Sequence, residues 1–119
     1  YQAEFMALIF EQLSHEFIKI SFKDDEIEEI GRYWDEDNNE LELLAQTTSG
    51  KIIVGSCRYT NSKMKKTEIT RLKELCEKLE IVPDFVVLFS KKGFTNELKS
   101  EKGESLKLYT VKSLKSLIL

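Results

Sequence analysis

The spacing of apolar residues predicts helices near both ends of the chain and one in its second half. From Gln2 to about Phe17, apolar side chains recur every three or four positions, which is the period of an amphipathic helix. The same period returns in the segments Thr67–Leu79 and Val111–Leu119. We therefore predict three main helices. The acidic stretch Lys23–Glu29 is predicted to be an exposed connection or a short helical turn, and the polar stretch Asn96–Ser105 a loop.

The segments between these helices have the composition of β-strands. Five of them are rich in β-branched, aromatic or alternating apolar residues, and they are bounded by turn-forming residues. They are Ile30–Trp34, Glu40–Ala45, Lys51–Tyr59, Phe85–Phe89 and the short Leu106–Thr110. Phe85–Phe89 is nearly all apolar, which is typical of a strand that is buried on both faces of a sheet.

The order of these elements predicts the class of fold. An α-β-β-β-α-β series, followed by a short strand and a last helix, is expected to form an α/β domain with a mixed central sheet flanked by helices. In the buried strand, Val86 and Leu88 should face one side, and Phe85, Val87 and Phe89 the other. We expect residues 1–119 to form a single domain, with the aromatic ring of Trp34 in its core.

Composition narrows the class of protein further. Apolar residues make up 41% of the chain and charged residues 33%, as in ordinary globular domains. No apolar run reaches the roughly 18 residues of a membrane span, and a basic secretory start is absent, so we expect a cytoplasmic protein that does not contact membranes. Because the chain starts at Tyr1, we expect it to be part of a longer polypeptide.

The two cysteines, Cys57 and Cys76, and the single His15 do not form a zinc-binding pattern, so we expect buried, reduced thiols and a structural histidine.

Charge is distributed unevenly along the sequence. Residues 1–59 carry 5 Lys/Arg against 13 Asp/Glu, whereas residues 60–119 carry 13 against 8. Lys63, Lys65 and Lys66 form a small basic cluster before the second helix. This cluster is a candidate nucleic-acid contact, and its alternative interpretation is an ordinary solvated loop.

The strongest candidate site lies on the predicted strands two and three. Glu40 and Glu42 are two residues apart, as are Ser56 and Arg58, so each pair should project from one face of its strand. If the two strands are neighbours, Glu42 lies beside Ser56 and Arg58. Carboxylates grouped with a cation in this way can hold a divalent metal ion and a nucleophilic water.

These residues resemble a known family of domains. The element order, with an acid on strand two and a cation on strand three, is similar to the PD-(D/E)XK nuclease-like superfamily. Five runs more closely resemble the C-terminal domain of unknown function of archaeal-type DEXX-box ATPases. They are Phe10–Glu11, Gly31–Trp34, Asn39–Leu43, Val54–Tyr59 and Leu88–Phe94. The resemblance implies a restriction-endonuclease-like αβββαβ core, and an ATPase portion of the same polypeptide as a partner.

The chain departs from the catalytic pattern that the resemblance implies. Glu42 stands where an aspartate is expected, Ser56 replaces a metal-binding glutamate, and Arg58 replaces the lysine. A neutral hydroxyl is a poor ligand for Mg²⁺, and an arginine stays protonated and forms forked contacts with carboxylates. Glu42 is left as a weak candidate for a metal ligand, and Glu11 matches a helix-one glutamate that assists the metal in such nucleases.

Three functions are compatible with this pattern. The first is a catalytically inactive nuclease-like domain without a cofactor, which binds nucleic acid or a protein partner as an accessory module of an ATPase. The second is a Mg²⁺-dependent DNA endonuclease that uses Glu42, Glu11 and Glu40 as ligands, with Arg58 in place of lysine. The third is a regulatory or oligomerisation domain. We further expect Arg58 to point toward Glu42 and to neutralise it in place of a metal ion.

Overall fold

In a computed structural model of the protein, which describes residues 2–117, helices cover both faces of one five-stranded sheet. The helices are α1 (Gln2–Ser21), α2 (Thr67–Leu79), α3 (Asn96–Lys99) and α4 (Val111–Leu114), the last followed by a 3-10 turn at Lys115–Leu117. The strands are β1 (Ile27–Trp34), β2 (Glu40–Thr47), β3 (Ile52–Arg58), β4 (Phe85–Ser90) and β5 (Leu106–Thr110). The predicted α/β class and the α-β-β-β-α-β order are confirmed. None of the helices within residues 2–117 is long and apolar enough to cross a membrane.

The strands lie in the sheet in the same order as in the chain, from β1 at one edge to β5 at the other. The first three strands pair antiparallel, whereas β3, β4 and β5 are mutually parallel, so the sheet is mixed. A parallel pair requires a crossover connection. Helix α2 provides it between β3 and β4, and the segment that contains α3 provides it between β4 and β5.

Each face of the sheet has its own core, and β4 contributes to both. Val87 and Phe89 pack in the core under α1 and α4, together with the partly buried Phe85. Leu88 packs in the core under α2 and α3, together with the partly buried Val86. Val87, Leu88 and Phe89 are all 0% exposed. The prediction of a strand covered on both sides is therefore confirmed with the predicted alternation.

Helix α1 is longer than its sequence pattern indicated, because it continues to Ser21 rather than ending near Phe17. Its buried face begins at Phe10 and includes Ile18, while Phe5 and Leu8 in the first turns remain exposed. The apolar stripe at the start of α1 therefore extends beyond the part of the helix that packs on the sheet.

Other differences lie near the edges of the fold. Strand β1 begins at Ile27, inside the acidic stretch expected to be a connection. The expectation of a core position for Trp34 is wrong, because this residue ends the edge strand and its side chain is 62% exposed. The predicted loop 96–105 contains α3, whose first turn is capped by the Thr95 hydroxyl. The predicted final helix is α-helical only over α4 before the 3-10 turn, and positions 118 and 119 lie outside the described residues.

Candidate functional site

A β-bulge in β2 determines where the predicted site residues lie. Gly31 pairs with Leu44 and Tyr33 pairs with Leu41, so two residues of β2, Glu42 and Leu43, lie opposite one residue of β1. A bulge of this kind disrupts the strict alternation of side chains. As a result, Leu41 and Leu43 enter different cores although they are two positions apart.

The bulge separates the carboxylates of Glu40 and Glu42. Glu40 forms an ion pair with Arg32, with an N–O distance of 2.9 Å. Glu42 instead turns toward β3, where its carboxylate accepts a hydrogen bond of 3.2 Å from the backbone N–H of Cys57. Glu40 and Glu42 therefore do not project from one face of β2 as expected, although both border one cleft of about 400 Å³.

The Glu42 carboxylate replaces the backbone acceptor that the Cys57 N–H lacks beyond the end of the β2–β3 pairing. The backbone register of β2 and β3 runs from Gln46–Ile52 to Leu43–Gly55 and ends there. Beyond this point the Cys57 N–H needs another acceptor, because an unpaired buried donor costs free energy. Glu42 provides that acceptor, so the residue has a structural role in the sheet.

Arg58 joins Glu42 to a second carboxylate, that of Glu68 in the first turn of α2. Its guanidinium donates one hydrogen bond to Glu42 and another, of 3.1 Å, to Glu68. The side chains of Arg58, Glu42 and Glu68 are only 32%, 19% and 12% exposed, respectively. The predicted contact between Arg58 and Glu42 is confirmed, and we call these residues, with Ser56 and Arg71, the arginine–glutamate cluster.

Ser56 and Arg71 complete this cluster. The Ser56 hydroxyl, which is 0% exposed, is within hydrogen-bonding distance of both carboxylates. Arg71 lies one turn after Glu68 on α2 and pairs with it at 2.7 Å. Burial raises the pKa of the Glu68 carboxyl, but hydrogen bonds from Arg71 and Ser56 and the charge of Arg58 outweigh this effect and leave the pKa below its ordinary value. Glu68 is therefore ionised at neutral pH, and two carboxylates face two guanidinium groups.

Sequence reasoning missed Glu68 and Arg71. Both lie in an ordinary amphipathic helix with charged residues three positions apart, a pattern that usually indicates a solvated surface. The available signal was topological, because α2 begins soon after β3 ends and must cross over the sheet. Knowing which turn of α2 lies above Ser56 requires the three-dimensional packing.

Glu11 belongs to a separate group on the other side of the bulge. Arg32 donates a forked pair of hydrogen bonds, of 3.0 and 2.8 Å, to the two oxygens of Glu11, which is 7% exposed. This interaction raises the pKa of Arg32 above its ordinary value, against the opposing effect of burial. The structure therefore places Glu11 with Arg32 and Glu40 rather than with Arg58. The Nε2 atom of His15 lies 2.7 Å from the backbone oxygen of Glu42.

The three lysines before α2 have different environments, although all are exposed. Lys66 forms an ion pair of 3.0 Å with Glu101. Lys63 and Lys65 line a shallow depression of about 200 Å³ that also reaches Arg58 and Glu68, and neither has an ion-pair partner within residues 2–117. A second cleft, of about 400 Å³, lies on the other side of the cluster and is bordered by Glu42, Arg58 and Arg71.

The chemistry available to these residues is limited by their existing contacts. Within residues 2–117, no three or more His, Cys, Asp or Glu side chains are grouped so as to hold a metal ion. Cys57 and Cys76 are free and buried, as expected. Burial, followed by the charge of Glu42, raises the pKa of the Cys57 thiol to about 12. This thiol therefore remains protonated and is a poor nucleophile.

Comparison with known proteins gives a family but not an activity. No curated protein and no solved structure matches the chain. One family model matches residues 1–71, a segment that runs from α1 through the first turns of α2 and contains the whole arginine–glutamate cluster. The chain therefore belongs to the family DUF234, archaeal and bacterial proteins of unknown function.

Proposed function

We propose that this domain is a non-catalytic, nuclease-like binding module in which the arginine–glutamate cluster occupies the place of a metal centre. One observation carries the proposal: the guanidinium of Arg58 is hydrogen-bonded to both Glu42 and Glu68. The resemblance to C-terminal domains of archaeal-type ATPases supports an accessory role beside an ATPase portion of the same polypeptide.

The contacts of the cluster disfavour hydrolysis. Metal-dependent cleavage of a phosphodiester requires carboxylate oxygens that are free to bind a cation and to position a water molecule. Here, the Oε1 atom of Glu42 already accepts from Arg58 and from the Cys57 backbone, and the guanidinium of Arg58 places a positive charge where a metal ion would bind. Arg58 is also unable to act as a general base, because a guanidinium does not lose its proton in proteins.

The exposed cations beside the cluster support binding to nucleic acid. Lys63 and Lys65 border the depression that leads to Arg58. Lysine side chains of this kind contact phosphates without reading sequence. We therefore place a sequence-independent phosphate contact on this side of the domain, with Lys66 contributing less because Glu101 already neutralises it.

One observation favours the rival function, a Mg²⁺-dependent DNA endonuclease. Helix α2 supplies the carboxylate of Glu68, which approaches the hydroxyl of Ser56, the position at which the resemblance implies a metal-binding glutamate. If Arg58 moved away, Glu42 and Glu68 would offer two carboxylates to a cation. A cleavage assay on supercoiled and single-stranded DNA, with Mg²⁺ and with Mn²⁺, separates the two functions. We expect no product, whereas metal-dependent cleavage that is lost in Glu42→Ala and in Glu68→Ala would establish the enzyme.

Binding is tested by fluorescence anisotropy of a labelled DNA duplex, titrated at several salt concentrations between about 50 and 200 mM. We expect affinity to fall with salt, and Lys63→Glu/Lys65→Glu to weaken binding and to reduce the salt dependence by roughly one unit of slope per lysine. The matched control is Lys112→Glu/Lys115→Glu, which changes the charge equally at the far end of the chain. If DNA does not bind, or if both double variants act alike, the proposed phosphate contact is wrong and the regulatory function is favoured.

A further inference from the structure

Strand β1 is an open edge of the sheet. It pairs with β2 on one side and with no other strand among the described residues. The backbone groups on its outer side have no hydrogen-bond partner within residues 2–117. An edge of this kind is a template for an additional strand. Ile27–Trp34 contains no proline, and its charged residues Glu28, Glu29 and Arg32 restrict which segments can pair with it.

A groove lined by both apolar and charged residues lies directly beside this edge. It has a volume of about 500 Å³ and runs over β1 and β2 to the residues that follow α2. Its apolar lining includes Leu44, Ile52, Ile81 and Val82, and Val82 is 85% exposed. Gly31 forms the border between the groove and the edge, and a Cβ atom added there would have no atom within 4 Å. The groove is therefore open toward the edge, where a side chain of an added strand could enter it.

Charge decides which partner fits. Glu28, Glu29 and Glu80 surround the groove and the edge, all are exposed, and none forms an ion pair within residues 2–117. The cation on this strand, Arg32, is already bound by Glu11 and Glu40. A second copy that paired through its own β1 edge would bring the same unpaired acids, and the phosphates of nucleic acid would be repelled. A basic partner complements this surface.

We infer that the β1 edge receives an extended segment of a partner protein whose side chains alternate between apolar and basic. The segment adds a sixth strand to the sheet, so that its backbone satisfies the outer groups of β1. Glu29 and Gly31 face the same side of β1, and Glu80 lines the same groove. The basic side chains of the segment therefore enter the groove, with their alkyl stems over Gly31 and their charged groups near Glu29 and Glu80. This inference is independent of the proposed phosphate contact, which uses residues after β3.

The test uses a fluorescein-labelled peptide of about eight residues, the length of a long strand, in which lysine and valine alternate. Two control peptides have glutamate in place of lysine, or N-methyl groups on the backbone nitrogens of one edge. We expect the lysine–valine peptide to bind in anisotropy titrations and both controls to fail. Binding should also slow the hydrogen exchange of β1 amide groups, because the added strand pairs with them.

The diagnostic variant is Gly31→Val, which fills the mouth of the groove without changing any charge. Because a Cβ atom added there meets no neighbour, the melting temperature should not fall, while peptide affinity should fall by about tenfold or more. Glu29→Lys should weaken binding as well.

Several results would overturn the inference. They are a peptide that does not bind, equal binding of the N-methylated peptide, or full affinity in Gly31→Val, which would indicate electrostatic attraction alone. The remaining alternative is that a second copy of the chain occupies the edge, and sedimentation equilibrium measures whether the domain dimerises. A dimer of the wild-type domain that Gly31→Val dissociates would assign the edge to a second copy of the chain instead.

Discussion

Removing the side chain of Arg58 should destabilise the domain by about 2 to 3 kcal/mol at pH 7. An exposed ion pair contributes at most about 1 kcal/mol, whereas breaking a fully buried one costs roughly 3 to 5 kcal/mol. The side chain of Arg58 is 32% exposed, and its partners Glu42 and Glu68 are 19% and 12% exposed, so the cost of Arg58→Ala lies between these limits. For a domain of this length, each kcal/mol corresponds to roughly 4 °C, which gives a fall in Tm of about 8 to 12 °C.

The dependence on pH provides an independent check of the mechanism. The pKa of Glu68 in the folded domain is lowered from its ordinary value of 4.5. Its ion pairs therefore contribute stability above that value, and the contribution is lost as the pH falls through the lower folded pKa. In Arg58→Ala, the carboxylates of Glu42 and Glu68 face each other without the positive charge of the guanidinium between them. Protonation at low pH should reduce their repulsion and therefore the loss of stability in this variant. The difference from the wild-type domain should be largest near pH 7 and should shrink below about pH 4.5.

Urea denaturation monitored by circular dichroism, at a series of pH values, measures both quantities. Arg71→Ala is the matched control, because within residues 2–117 Arg71 forms an ion pair with Glu68 alone and its side chain is 43% exposed. This variant should lose no more than about 1 kcal/mol. The double variant Glu42→Gln/Arg58→Met should recover part of the stability, because it removes the unpaired charge. If Arg58→Ala costs no more than Arg71→Ala, or if its cost is independent of pH, the cluster does not stabilise the domain as we argue.

The remaining predictions concern the core. Gly55→Ala should cost about 1 to 3 kcal/mol in urea denaturation, because the new Cβ would lie 2.7 Å from the backbone oxygen of Val87; an unchanged midpoint would show that β3 and β4 can move apart. Phe89→Ala should cost about 3 to 5 kcal/mol, since this ring is 0% exposed, and a loss below 1 kcal/mol would contradict its central position. The thiols of Cys57 and Cys76 should not react with a disulfide reagent in the native domain at pH 8 and should both react in denaturant, because burial raises both pKa values; rapid native labelling would show that the core opens.

The elements of the fold could be predicted because their patterns are local. The apolar run Phe85–Phe89 requires cover on both faces, which two helices on opposite sides provide. The element order then restricts the arrangement, since parallel strands need crossover helices. The position of Trp34 could not be predicted, because it does not depend on a local pattern. An aromatic residue on a strand packs only where a helix covers it. Its exposure depends on how far α1 extends over β1.

The candidate site could be predicted only where it depends on one strand pair. Ser56 and Arg58 share a face of β3, and the proximity of Arg58 to Glu42 followed from pairing the neighbouring strands. The separation of Glu40 from Glu42 depends on one extra residue in β2, which has no distinctive sequence signal. The contact of Glu68 with Arg58 depends on the position of α2 over the sheet, which is set by packing between distant parts of the chain.

The arginine–glutamate cluster also constrains how this chain can change during evolution. Introducing a glutamate at Ser56 would place a third carboxylate at a position that is 0% exposed, against Glu42 and Glu68. Replacing Arg58 by lysine would remove the fork that bridges two acids, and a single ammonium group does not reproduce it. Each step toward a metal-binding centre is therefore costly by itself, and only coordinated substitutions would avoid an unstable intermediate. The cluster acts as an epistatic barrier between the present ion-paired arrangement and a metal-binding one.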